Sequence, residues 1–345
     1  MIKKEVHHLS HIDLDGYSCQ IIAKRIYENI NFYNSNYGKE IDQRLQQIVN
    51  AIKLSQNSEF LILFTDLNLT LEQAEFIVKE TVNIEDKEVE LLLLDHHKSG
   101  QDCANIHEWY NLDVNRCATK ITYDYFKSSG LIDDLDEYVN IVNAYDIWLT
   151  DQHDRFEIGK VCARYVSSAR EINRIMFSDK SFEYVLAMVE KASKIITQKD
   201  AHIALDDMLH SSKKEFFIKD KNNTLDNLVS YYVVDLLSKN RDNMTITYKD
   251  KKGILTFQAG NISIIGNEFL VQNPDYDFFL DINGKKNISA RANNNCDVSI
   301  LASEVFGGGG HANASGGRFQ EFKESFIYEE IKAQVQKRIR DKESK

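Results

Sequence analysis

The chain has 345 residues, is 43% hydrophobic and 28% charged, and carries 53 acids against 42 bases for a formal net charge of −11. That is about two domains of ordinary globular composition. No apolar run approaches the ~20 residues of a bilayer span, and five dispersed cysteines without a CxxC pair argue against a disulfide framework or a cysteine-zinc site.

The excess of acid is local. Residues 1–150 hold 25 acids and 13 bases, whereas residues 151–345 hold 28 and 29. This distribution argues against a basic face that grips long duplex nucleic acid, but not against a small anionic substrate held through bound cations. The N-terminus, MIKKEVHHLSHID, has a basic start without the apolar core of a signal peptide, so a cytoplasmic location is expected.

In chain order, Val6–His11 reads as a strand that runs into the polar turn His11-Ile-Asp13-Leu-Asp15-Gly16, and a helix is expected from about Ser18 to Asn31. Phe60–Phe64 and Val89–Leu94 are continuous apolar runs ending in Thr65-Asp66 and Asp95-His96-His97. Such runs suit strands buried on both faces of a parallel sheet. Between them, Thr70 and Gln73 have the spacing of a helix capping box. A helical stretch over Tyr138–Trp148 carries Asp146, and an amphipathic pattern follows from about residue 181 to 217. Strands are then expected at Val229–Val234, Met244–Tyr248, Ile254–Ala259, Tyr276–Ile282 and Asn287–Arg291, before a Gly-rich loop at Gly307–Gly317 and a charged final helix. The architecture implied is α/β: a doubly wound, mainly parallel sheet in residues 1–180, a helical linker over 181–221, and a smaller α/β domain over 222–345.

His11, Asp13, Asp15, Asp66, Asp95, His96 and His97 all fall just after an apolar run. Ligands of doubly wound sheets collect there, at the carboxyl ends of the strands. Carboxylates mixed with imidazoles suit ions such as Mn²⁺, and alternate positions 11, 13 and 15 of an extended segment face one way. Each segment alone has an ordinary explanation: Asp side chains capping loop amides, Asp66 capping the next helix, Asp146 as an exposed helix acid. The run Gly308-Gly309-Gly310 before His311 lets backbone N–H groups approach a phosphate closely, and Arg291 in the preceding strand offers a planar fork to phosphate oxygens. Arg116 is a further candidate phosphate contact; its alternative is a solvated loop cation.

Taken together these segments resemble the DHH phosphoesterase superfamily. Motif I is His11-Ile-Asp13-Leu-Asp15-Gly16, motif II is Asp66, motif III is Asp95-His96-His97 and motif IV is Asp146. The run GGGGHANASGG is similar to the signature of the DHH-associated C-terminal domain, so the resemblance covers nearly the whole chain. The HxDLDG form of motif I is most like that of the oligoribonuclease NrnB group. In several relatives the motif I histidine stands four residues before the first Asp; here it stands two before.

The resemblance implies two divalent ions, typically Mn²⁺. His11, Asp13 and Asp66 would hold one, and Asp15, Asp66, His96 and Asp146 the other. Asp95 would orient an imidazole, and His97 would face the substrate as phosphate contact or general acid. Arg291, His311 and the glycines Gly308, Gly309 and Gly310 would bind a substrate phosphate or terminal nucleotide, with Arg116 as an added candidate. The activity implied is hydrolysis of short oligoribonucleotides to nucleoside monophosphates by two-metal activation of water. Alternatives are hydrolysis of a cyclic mono- or dinucleotide, or of 3′-phosphoadenosine 5′-phosphate; from another class, a non-catalytic nucleotide- or RNA-binding module. The expected partners are short RNA or small nucleotides, with neither long duplex nor membrane, and a homodimer is compatible with the sequence.

Overall fold

The computed structural model describes residues 4–82 and 84–344. Chain contacts divide into two compact units, one comprising residues up to Ala169 together with Phe182–Ser212, the other Arg170–Ser181 together with the chain from Lys213 on. No helix of the described residues is long and apolar enough to cross a membrane.

The first unit alternates strand and helix: β1 (Glu5–His11), α1 (Leu14–Ile26), β2 (Ile30–Ser35), α2 (Lys39–Leu54), β3 (Glu59–Thr65), α3 (Leu71–Val82), β4 (Glu88–Asp95), α4 (Gln101–Ala104), β5 (Tyr110–Leu112), α5 (Ala118–Phe126), α6 (Asp136–Asp146) and α7 (His153–Ser168), with most of α8 (Ser178–Ser193) and α9 (Ala201–Phe217). The five strands are all parallel in the order β2-β1-β3-β4-β5. This is a doubly wound sheet whose order reverses between β1 and β3, the place where such sheets bind ligands. The central strands are apolar on both faces because helices cover both. Phe60, Ile62 and Phe64 of β3 pack with Leu45, Ile48 and Ile52 of α2 and with Ala74 and Ile77 of α3. Burying one such side chain fully contributes about 1.5–3 kcal/mol.

Local chemistry fixes the turns. The Asp13 carboxylate accepts the Gly16 N–H at 3.1 Å and caps α1, which therefore starts at Leu14 rather than near Ser18. A Cβ on Gly16 would lie 2.3 Å from the His11 carbonyl oxygen, so only glycine lets the helix turn this tightly against β1. The chain leaves α1 at Ile26, and the expected tail of that helix is the start of β2 instead. Thr70 and Gln73 exchange the two bonds of a capping box, at 3.2 and 3.0 Å.

The second unit holds α10 (Leu225–Met244), β6 (Thr245–Tyr248), β7 (Lys251–Phe257), α11 (Ile262–Gln272), β8 (Phe278–Ile282), β9 (Asn287–Ala292), α12 (Val298–Phe306), β10 (Gly309–His311), β11 (Ala314–Arg318) and α13 (Tyr328–Glu343). Its six-stranded sheet runs β10-β11-β9-β8-β7-β6 and is antiparallel except for the β7–β8 pair. Leu255, Phe257, Phe278 and Leu280 pack with Val298 and Leu301 of α12 and with Ile331, Val335 and Ile339 of α13 to form its core.

Two sequence expectations fail here. Val229–Val234 is not a strand but the middle of α10, which Thr224 caps by accepting the Asn227 N–H. The β-branched run misleads because Leu228, Val233, Val234, Leu236 and Leu237 bury at helical spacing. The Gly-rich segment is not an open loop either. Gly309–His311 pairs antiparallel with Ala314–Gly316 in a tight hairpin at the sheet edge.

Candidate active site

Three strand ends and the end of one helix bring the candidate ligands together at the switch point. His11 ends β1, Asp13 and Asp15 open α1, Asp66 follows β3, and His96 follows β4; Asp146 is the last residue of α6. Asp66 turns with φ of +56°, a left-handed conformation that Asp tolerates better than most residues, and its N–H is tied to the Leu94 carbonyl at 3.2 Å.

The distances describe a centre made of oxygens and imidazoles. His96 Nε2 lies 3.4 Å from Asp66 Oδ1, 3.4 Å from Asp146 Oδ2 and 3.7 Å from Asp15 Oδ2. His11 Nδ1 lies 2.9 Å from Asp13 Oδ2 and 3.7 Å from Asp66 Oδ2. Three groups have ligand atoms all within 4.8 Å of one another: His11 with Asp13 and Asp66, Asp15 with His96 and Asp146, and Asp66 with His96 and His97. Asp66 and His96 each belong to two of these, so the groups form one continuous site.

Two carboxylate oxygens of that site, Asp66 Oδ2 and Asp146 Oδ2, are buried without a hydrogen-bond partner, and His11 Nδ1, also buried, has only the carboxylates of Asp13 and Asp66 beside it. Buried polar atoms are otherwise almost always satisfied, and each one left alone costs roughly 1–3 kcal/mol. The electrostatics point the same way. Burial, and then the charges of Asp15 and Asp13, push the Asp66 carboxyl well above the usual range. Burial and Asp15 raise Asp146 to about 8. Burial opposes a charge on His11, but Asp13 and Asp66 outweigh it and raise the imidazole to about 10. Packed carboxylates that resist ionisation, with orphaned oxygens facing inward, are what a hard divalent cation relieves. The residues present fit such an ion.

Around this cluster stands a supporting layer. Asp15 Oδ2 and Oδ1 accept the N–H groups of Ala118 and Thr119, both at 2.8 Å, from the start of α5. Asp95 lies outside all three groups. Its Oδ1 is 2.7 Å from His97 Nδ1, and its Oδ2 accepts the Tyr110 hydroxyl at 2.6 Å. The Asp95 carboxylate is an acceptor for a proton on His97 Nδ1, and on the other side of the ring Nε2 lies 3.0 Å from the Tyr37 hydroxyl. Tyr110 fits because position 100 is glycine: a Cβ there would lie 1.7 Å from the Tyr110 hydroxyl oxygen.

The chain turns away from Asp146 through a costly corner. Leu149 N–H bonds the Ala144 carbonyl at 2.7 Å and Trp148 N–H the Tyr145 carbonyl at 3.3 Å, the two bonds of a Schellman cap. Its left-handed position, usually glycine, is Trp148 with φ of +62°. A bulky side chain there costs about 1–2 kcal/mol.

In the second unit Arg291 of β9 sits opposite Ala314 of β11, which sits opposite His311 of β10. Residues directly opposite in a sheet share a face, so Arg291 and His311 share one, about 10 Å apart across two strand spacings. The Arg291 guanidinium donates to Ser263 Oγ at 2.9 Å and to the Ala290 carbonyl at 2.8 Å. Gly308 packs so closely on the partner strand that a Cβ would lie 2.0 Å from the Gly316 carbonyl oxygen, whereas Gly309 opens onto free space. Gly308 is thus needed for the hairpin, and Gly309 and Gly310 present exposed backbone.

Arg116 does not join either group as a free cation. Its guanidinium is engaged by Asp113 Oδ2 at 2.7 Å and Asp124 Oδ2 at 2.5 Å, a clamp within the first unit.

The chain is 44% identical to the 3′,5′-cyclic-nucleotide phosphodiesterase of Helicobacter pylori (strain ATCC 700392 / 26695) over 341 residues, 96% of this chain and 98% of that one. It belongs to the DHH phosphoesterase family. It is also 28% identical to the oligoribonuclease NrnB of Bacillus subtilis (strain 168) over 324 residues, 90% of this chain and 72% of that protein. Its fold superposes with a TM-score of 0.91 on the crystal structure of an uncharacterized protein from Helicobacter pylori G27, with 43% identity covering 98% and 99% of the two chains. No protein-family model matches the chain. Among DHH-family features, motif spacing locates the acids and imidazoles. It gives no hint of Tyr37, Tyr110, Gly100 or the Ala118–Thr119 amides, which reach the centre only through the fold. Trp148 stands beside motif IV, but its left-handed backbone has no sequence signal.

Proposed function

We propose that this protein is a divalent-metal-dependent phosphodiesterase that hydrolyses 3′,5′-cyclic nucleotides to nucleoside monophosphates, with two ions, Mn²⁺ by the chemistry of the donors. The observation that carries the reading is the continuous ligand cluster sharing Asp66 and His96, in a chain 44% identical along almost its whole length to a protein named for that activity. The oligoribonuclease activity expected from the motifs becomes the second reading; the 28% identity to NrnB favours it over the remaining alternatives.

Ions held by His11, Asp13, Asp15, Asp66, His96 and Asp146 would supply an activated water and neutralise the anionic phosphodiester. The protein's own groups do the rest. The amides of Ala118 and Thr119 fix Asp15, so that ligand does not have to be ordered when the site fills. Asp95 holds the His97 ring by its Nδ1 edge, and a proton carried on Nε2 would pass to the leaving oxygen. In the second unit, Arg291 and His311 present a cationic fork and an imidazole on one face of the sheet, groups suited to a phosphate.

Parallel assays of 3′,5′-cyclic AMP and of a labelled RNA dinucleotide, each with Mn²⁺, test the reading. A higher kcat/KM on the cyclic substrate is expected. A dinucleotide preferred by tenfold or more would restore the oligoribonuclease reading, and no turnover of either would remove both.

A further inference from the structure

Trp148 lies two residues after the candidate ligand Asp146, which places its Cα within about 7 Å of that residue's Cα. It occupies the left-handed position of the α6 cap, where glycine would fit without strain. It is also 67% exposed, although tryptophan is among the most apolar side chains. One side is anchored: its ring meets Phe156 of α7 edge-on, with centroids 4.9 Å apart and planes at 80°. Phe156 itself is buried, at 7% exposure. Neither backbone comfort nor core packing accounts for an indole at this place. A strained backbone under an exposed aromatic side chain, two residues from a candidate ligand and packed on one neighbour, points to a binding role.

We propose that Trp148 is the nucleobase platform of this site, with the open face of its indole stacking on the base of the nucleotide whose phosphate reaches the Asp66–His96 cluster. The inference rests on the nucleotide-hydrolase reading above and adds where the base is read. Every base has a π face, so an aromatic platform recognises a nucleotide as a class without selecting one sequence. The anchoring contact to Phe156 keeps the indole ordered before the base arrives, which lowers the entropy lost on binding.

The test compares wild type, Trp148→Gly and Trp148→Phe on 3′,5′-cyclic AMP and on the abasic tetrahydrofuran 3′,5′-cyclic phosphate. The ratio of KM for cyclic AMP to KM for the abasic diester rises about tenfold in Trp148→Gly, and Trp148→Phe recovers most of it. Trp148→Gly melts no lower than wild type, because glycine suits the left-handed backbone, so misfolding is separated from lost stacking. Intrinsic fluorescence gives a readout that needs no turnover. AMP quenches the wild type and spares Trp148→Phe, in which Trp109 of the first-unit core is the remaining tryptophan. An unchanged KM ratio, or quenching that persists in Trp148→Phe, overturns the proposal. Absence of turnover on both diesters with AMP quenching intact would defeat the hydrolase reading and leave the platform standing.

Discussion

The two sheets carry their proposed binding groups in opposite ways. In the first, acids and imidazoles stand at the carboxyl ends of adjacent parallel strands, around the fully buried Asp15 and Asp66, with carboxylate oxygens of Asp66 and Asp146 left without a hydrogen bond. In the second, Arg291 and His311 lie along one row of antiparallel strands near a sheet edge, accessible, and the Arg291 guanidinium already has two acceptors. The first arrangement is unstable without a cation and the second is comfortable without a ligand. One therefore behaves as a centre whose members depend on one another, the other as a surface whose members act nearly independently.

The largest effect should come from breaking the first arrangement. Asp66→Ala removes the residue shared by two ligand groups. Hydrolysis should fall by about three orders of magnitude, while the metal-free protein melts no lower than wild type because a buried carboxyl that resists ionisation is gone. A variant that keeps a tenth of its activity would show that Asp66 is not central.

The supporting layer comes next. Tyr110→Phe leaves Asp95 Oδ2 short of its hydroxyl donor, and Gly100→Ala pushes the same hydroxyl aside. Each should lower kcat by roughly 10- to 100-fold with little change in metal affinity. Equal losses in metal affinity, measured by titration, would place Asp95 among the ligands instead.

Proton linkage sharpens the contrast further. In the metal-free protein Asp146, raised to about 8, holds a proton in the folded state that the unfolded chain has released. His11, raised to about 10, contributes stability that is complete below its ordinary pKa and is lost as pH rises through 10. Both signs agree between pH 6.5 and 8, so the metal-free protein should lose stability by about 2 kcal/mol per pH unit across that window. Saturating Mn²⁺ should flatten the slope, because bound metal replaces those protons. Denaturant unfolding at both pH values checks this, and a rising metal-free stability would contradict it.

In the second sheet the effects should be smaller and confined to binding. Arg291→Ala and His311→Ala should each raise KM by about tenfold and leave kcat nearly intact. The double variant should show roughly the product of the two. At the bottom of the scale, Arg116→Gln should leave kinetics unchanged and cost about 1 kcal/mol or less, since a half-exposed ion pair contributes little.

The same contrast explains what was legible in the sequence. Buried parallel strands announce themselves as apolar runs, so Phe60–Phe64 and Val89–Leu94 marked the sheet and every acid after them marked its ligand end. The second unit is harder to read. Val229–Val234 has strand-like residues but sits in α10, because the spacing of its buried neighbours overrides β-branched propensity. Glycines that look like an open loop fold into a hairpin because Gly308 allows close backbone approach. Tyr37, Tyr110 and Trp148 are silent in the sequence for a common reason. Each acts through contacts made by distant parts of the chain or through a backbone angle, and neither leaves a local pattern.

The central claim is that the switch-point cluster is a two-ion centre organised on Asp66. Calorimetric titration of the metal-stripped protein with Mn²⁺, beside Asp66→Ala, tests it most directly. Two ions per chain are expected for wild type, with a loss of at least one in the variant. Wild type that binds no Mn²⁺, or a variant that still binds two ions with unchanged affinity, would contradict it.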